Sequence, residues 1–209
     1  MKKYLTEAVG TFFLVYTIGN TVIDPGSTQF APLAIGAVLM VMIFAGGHIS
    51  GGHYNPAVTL AVFLRGKLPA CEVAGYMTAQ VLGAVAAAFA VQYIKGSPSV
   101  APLHPEAGPA LLVEFLGTFA LAFVVLNVAT AKGTVGNSFY GLAIGATVMV
   151  MAFAVGGVSG GAFNPAVAVG ITVLGLSLPA NIWIYLVANL LGGAAAAYAF
   201  KYLAPDESA

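Results

Sequence analysis

A chain of 209 residues that is 60% hydrophobic and only 7% charged is built for lipid, since soluble domains carry about 25% charged residues. Seven basic and seven acidic side chains cancel, so nothing in the charge balance suggests a nucleic-acid partner. The single cysteine, Cys71, excludes an internal disulfide, and among apolar neighbours it reads as a small core residue rather than a reactive thiol.

Lys2 and Lys3 precede an apolar run that contains Glu7 and lacks a small-residue cleavage site. It reads as a retained first span, Tyr4 to Ile23, and not as a signal peptide. Asp24-Pro25-Gly26-Ser27 supplies a turn, and Pro32 to about Gly47 forms the second span. Next comes Ser50-Gly51-Gly52-His53-Tyr54-Asn55-Pro56-Ala57-Val58. Asn is a preferred N-cap, and Pro at the first helical position loses no needed hydrogen bond. A helix over 55–65 follows, far shorter than the ~20 residues that cross a hydrocarbon core. Ala70 to Ile94 is the third span. Lys95 to Pro109 holds four prolines and two glycines and reads as a loop. Ala110 to Ala131 and Phe139 to Gly157 are the fourth and fifth spans. Ser159-Gly160-Gly161-Ala162-Phe163-Asn164-Pro165-Ala166-Val167 then repeats the earlier pattern, with a short helix over 164–174. Leu178 to Leu203 is the sixth span, and 204–209 a polar tail.

The chain is a duplication. At an offset of 109, residues 36–58 match residues 145–167 at 15 of 23 positions, too many for two unrelated spans. Gln80 and Asn189 share that offset, as do Gly83 and Gly192. Near the start of each half, Glu7, Gly10 and Thr11 match Glu114, Gly117 and Thr118 at an offset of 107. The first repeat is 1–95, the connection 96–109 and the second repeat 110–203. Three spans per repeat is an odd number, so the second copy enters from the opposite face, giving an inverted repeat with short broken helices at matching places. The basic residues set the orientation: Lys2, Lys3, Arg65, Lys67, Lys132 and Lys201 fall on one side and Lys95 alone on the other. Both termini are therefore expected in the cytoplasm of a multi-pass protein of the plasma membrane.

Non-helical backbone at bilayer depth survives only when buried in protein or lining a wet cavity. The two short helices are expected to meet N-terminus to N-terminus near the midplane, each end carrying about half a positive charge. Such ends repel cations, protons included. Each Asn caps its own helix through its side-chain oxygen, leaving its NH2 donors for a permeant oxygen. Glu7 and Glu114 are intramembrane acids. With no chain of ionisable partners in view, they are expected to brace the loops by accepting N–H groups. His48 and His53 read as hydrogen-bonded loop residues rather than as metal ligands or a pH gate. The repeated Met40-Val41-Met42 and Met149-Val150-Met151 read as packing or apolar pore wall.

These motifs together — Glu7-x-x-Gly10-Thr11, the run from Gly47 to Thr59, Gln80-x-x-Gly83, Glu114-x-x-Gly117-Thr118 and Asn164-Pro165-Ala166 — resemble the major intrinsic protein family, the aquaporins and aquaglyceroporins. The resemblance covers nearly the whole chain. It implies an all-α membrane protein with six transmembrane helices in a right-handed bundle, two re-entrant half-helices, and a homotetramer with one pore per subunit. The two Asn-Pro-Ala motifs, Asn55-Pro56-Ala57 and Asn164-Pro165-Ala166, would be its pore centre. In one respect the sequence departs from the family. Most members carry Arg directly after the second motif, where Val167 stands here. The other positions of the outer constriction, carried over by spacing from each Asn, fall on Ile35, Ala152 and Gly161. The selectivity filter thus reads as apolar and wide, unlike either the water-selective or the glycerol-conducting pattern.

Function is expected to be passive passage of water and small uncharged solutes across the bilayer. A coupled secondary transporter is the alternative, because inverted repeats with broken helices occur there too, and a plugged structural protein is a third. The sequence shows no cofactor motif, no metal-binding cluster and no nucleophile–base pair, so it does not read as an enzyme.

Overall fold

The computed structural model describes residues 1–207. Among them are eight α-helices: α1 Lys2–Val22, α2 Ala31–Ser50, α3 Pro56–Leu64, α4 Ala70–Ile94, α5 Ala107–Thr130, α6 Tyr140–Ser159, α7 Pro165–Val173 and α8 Ile182–Leu203. Six of them have 20 to 25 residues, which at ~1.5 Å per residue spans a hydrocarbon core. Five of the six, all but α1, are also apolar enough to cross a membrane by composition. In α1 the two lysines at the start and Glu7 lower the hydropathy, but its 21 residues give the same reach, and Glu7 is fully buried inside the bundle.

The helices α3 and α7 have nine residues each and are buried along nearly their whole length, as lipid-avoiding half-helices must be. Each begins at Pro directly after the N-capping Asn. Asn55 Oδ1 accepts from the Ala57 and Val58 amides at 2.8 and 3.4 Å. Asn164 Oδ1 accepts from Ala166 and Val167 at 2.9 and 3.4 Å.

The helices before these loops run further than the sequence suggests. The second and fifth spans were expected to end near Gly47 and Gly157, yet α2 and α6 continue to Ser50 and Ser159. The stop signal is the next residue. Gly51 and Gly160 take left-handed φ values of 92° and 91°, the C-terminal conformation that glycine adopts without steric cost. Gly52 and Gly161 follow with positive φ of 63° and 64°, and each loop then holds a non-glycine residue of the same kind, Tyr54 at 49° and Phe163 at 47°, just before the capping Asn. Cys71 was expected in the core but is exposed, because it sits in the first turn of α4, where the helix has not yet met its neighbours.

The two halves of the chain pack reciprocally, element for element. The helix pair α1–α4 corresponds to α5–α8, and α2 packs on α6 between the halves. A Cβ added to Gly36 would lie 2.6 Å from Gly145 O, and one added to Gly145 would lie 2.4 Å from Gly36 O. Met149 and Met40 flank these same contacts, so these methionines pack the crossing rather than the pore wall. Within each repeat, Gly83 lets α4 approach the Ala8 carbonyl of α1, and Gly192 does the same for α8 against Phe115 of α5. A Cβ at position 83 would sit 2.3 Å from Ala8 O, and backbone cannot yield there. Gly83→Ala is expected to lower stability by about 1–3 kcal/mol, measurable as an earlier thermal transition of the detergent-solubilised protein.

Candidate functional site

Glu7 and Glu114 hold the two loops in the same way. Glu7 Oε1 accepts from the Ser50 hydroxyl at 2.6 Å and the His53 amide at 3.0 Å, and Oε2 from the Tyr54 amide at 2.6 Å and Gln80 Nε2 at 2.8 Å. Glu114 Oε1 accepts from Ser159 Oγ at 2.7 Å and the Ala162 amide at 2.8 Å, and Oε2 from the Phe163 amide at 2.7 Å. Each of these partners is a donor, and four of the seven are backbone N–H groups that a four-residue loop cannot satisfy from within. The carboxylates therefore replace the missing ladder. Charge-assisted bonds of this kind are about twice as strong as neutral ones. Glu7→Gln presents an amide NH2 to this ring of donors, so at least one donor loses its acceptor. A loss of about 2–4 kcal/mol is expected, read as reduced thermal stability. Normal stability with altered solute preference would argue against bracing.

Two tyrosines that the sequence did not single out complete the frame. Tyr76 Oη donates to Ser50 O and Tyr185 Oη to Ser159 O, both at 2.7 Å. They cap the last turns of α2 and α6 from α4 and α8, and the two are equivalent at the offset of 109.

The loop tips meet at the centre. Asn55 Nδ2 donates to Phe163 O at 2.9 Å, and Asn164 Nδ2 donates to Tyr54 O at 2.8 Å. The N-termini of α3 and α7 therefore face one another, tied through each other's loop. This amends the expectation that both N–H groups of each Asn are left over. One is committed to the opposite loop, so one per Asn remains.

A cavity runs past these two side chains. All four positions carried over by spacing, Ile35, Ala152, Gly161 and Val167, line it together with Asn55 and Asn164. Leu14, Ile18, Leu39, Leu121, Val125 and Val148 supply much of the remaining wall, so it is overwhelmingly apolar. His53 also lines it, whereas His48 is exposed on the last turn of α2, and the two histidines border a second hollow together.

Over residues 1–200 the chain matches the model of the family described as "Major intrinsic protein". The chain belongs to that family. Among similar relatives of the major intrinsic protein family, aquaporin NIP1-1 of Zea mays is 36% identical, over 97% of this chain and 75% of its own length. Glycerol uptake facilitator protein-like 6 of Lactiplantibacillus plantarum is 34% identical, over 99% of this chain and 100% of its own. The same fold is seen in the aquaglyceroporin from Plasmodium falciparum, with a TM-score of 0.80 at 22% identity, covering 99% of this chain and 98% of that one. The chain is thus an all-α, multi-pass membrane protein of the major intrinsic protein bundle.

Proposed function

We propose that this protein is a passive transmembrane channel for water and small uncharged solutes, with Ile35, Ala152, Gly161 and Val167 as a wide, apolar outer filter. The observation that carries this reading is the pair of capped half-helices whose N-termini meet beside a largely apolar cavity. A permeant oxygen at the centre accepts the remaining N–H of Asn55 and of Asn164. Backbone of the two loops, at Gly52, Gly160 and Gly161, offers further polar contact along an otherwise oily wall. Two helix ends of about half a positive charge each oppose cations and orient water against proton relay. Val167 removes the full positive charge that most relatives place at the outer constriction, so proton exclusion rests on the helix ends and the Asn pair.

The intramembrane acids support a channel over a coupled transporter. Glu7 and Glu114 are engaged by loop donors and neither lines the lumen. No enzymatic role is proposed. The assembly is read as a homotetramer in the plasma membrane, both termini cytoplasmic, with repeats 1–95 and 110–203 entering from opposite faces.

Stopped-flow light scattering on proteoliposomes is the test. Fast, non-saturating water flux together with glycerol or urea flux is expected. Saturable flux that requires a sodium or proton gradient would instead establish the transporter, and no flux a plugged bundle.

A further inference from the structure

The half-helix α7 is a rod of nine residues, about 13 Å long at ~1.5 Å per residue, and Val167 and Ile171 on its flank line the cavity. Its inner end is fixed by Asn164 and, through the preceding loop, by Glu114. A rod held at one end can still tilt, so the lumen wall beside it depends on what holds the other end. The last carbonyls of a helix lack partners within it. Here Gln92, on the last turn of α4, donates from Nε2 to Val173 O at 2.8 Å. Leu103, in the connection between the repeats, donates its backbone N–H to Leu176 O at 3.0 Å and forms a parallel bridge with Ser177.

These donors are anchored in turn. Lys95, at the end of α4, donates from Nζ to Asn20 O at 3.2 Å, to Ile23 O at 2.9 Å and to Pro25 O. A cation is thereby set on the C-terminal carbonyls of α1, where the helix dipole favours it. The side chain of Leu103 reaches the outer loop, its Cδ2 lying 3.7 Å from where a Cβ on Gly160 would stand. Close packing does not fill the space between the connection and α7. A hollow lies there, bordered by Val91 and Gln92 of α4, by Pro98 and Val100 of the connection and by Leu174. The matching end of α3 is held by other means. Arg65 stands at the place of Leu174, its guanidinium 4.9 Å from the centre of the Phe200 ring.

We propose that Gln92 and Leu103 are positioning residues for permeation: together they fix the outer end of α7, and with it the lumen wall at Val167 and Ile171. The connection 96–109 thus sets the width of the channel as well as joining the repeats. When either bond is lost, α7 tilts into the hollow, and solutes near the size limit gain more than water does. This rests on the channel reading above.

The test measures erythritol and water permeability of the full chain in the same proteoliposomes, erythritol being a longer molecule than glycerol. Gln92→Leu removes the side-chain donor at similar volume, and Leu103→Pro removes the backbone N–H. Each is expected to raise the erythritol-to-water ratio about fivefold, because the loss of one ordinary hydrogen bond makes a displaced α7 that much more populated. Leu103→Ala keeps the N–H and is expected to change the ratio less. Gln92→Lys, which returns a donor to a helix C-terminal carbonyl, is expected to restore the wild-type ratio. An unchanged or lowered ratio in Gln92→Leu and Leu103→Pro would overturn the proposal, even with a lower thermal transition, since the bonds would then serve stability alone. Should one of the two fail to insert, the other decides. A raised ratio that Gln92→Lys leaves unrestored would also overturn it. Wild-type protein that conducts neither water nor glycerol would overturn the channel reading itself, and a conducting wild type with insensitive variants this inference alone.

Discussion

Val167→Arg is expected to cut glycerol flux relative to water by about tenfold or more, equivalent to ~1.4 kcal/mol of added barrier. Val167 lies in the first turn of α7, four per cent exposed, with its surface on the lumen. A guanidinium there enters the cavity that Ile35 and Ala152 also line. It is costly in the membrane unless it meets carbonyls and water. The loop at Gly160, Gly161 and Ala162, which borders the same cavity, offers backbone acceptors. Water, with its smaller cross-section, is slowed much less than glycerol. Paired stopped-flow measurements check this, and an unchanged ratio in a well-inserted variant would remove position 167 from the filter.

Asn164→Asp is expected to raise cation and proton leak by an order of magnitude or more. The substitution keeps the cap, because a carboxylate oxygen still accepts from the Ala166 and Val167 amides. It removes the donor to Tyr54 O and sets a negative charge between two helix N-termini. That position is electrostatically favourable for an anion, so the half-helix stays formed while the barrier to cations falls. Proton flux into vesicles loaded with a pH-sensitive dye, at fixed membrane potential, gives the readout. Correctly inserted protein with unchanged ion flux would show that the exclusion resides elsewhere.

The short helices were legible because their signals are local. Asn-Pro-Ala after Ser-Gly-Gly marks the start of each, and α3 and α7 begin one residue past the capping Asn. The lumen positions came from the family resemblance, carried over by spacing from each Asn, and the transfer worked because Ala152 and Val167 sit on regular helices whose geometry fixes where each residue falls. Contacts between repeats could not be read that way. The Asn55 bond to Phe163 O joins residues 108 apart, and no pattern in the sequence announces which N–H will be taken. The Tyr76 and Tyr185 bonds to serine carbonyls lie within one repeat each but join residues 26 apart, and they too carry no local signal.

The crossing of α2 and α6 has a genetic consequence. Gly36 and Gly145 each face the other's carbonyl, so a methyl on either one must push the same two helices apart. The first such lesion bears the cost of separation, and the second enters a gap already opened. Gly36→Ala and Gly145→Ala should therefore be strongly epistatic, the double variant losing less than the two single losses together, as neighbouring sites that share one backbone shift do. In a forebear assembled from two separate copies of one repeat, a single codon change would have placed both methyls at the crossing at once. In one chain each half can change alone, and a change at this contact in either half is felt by the other.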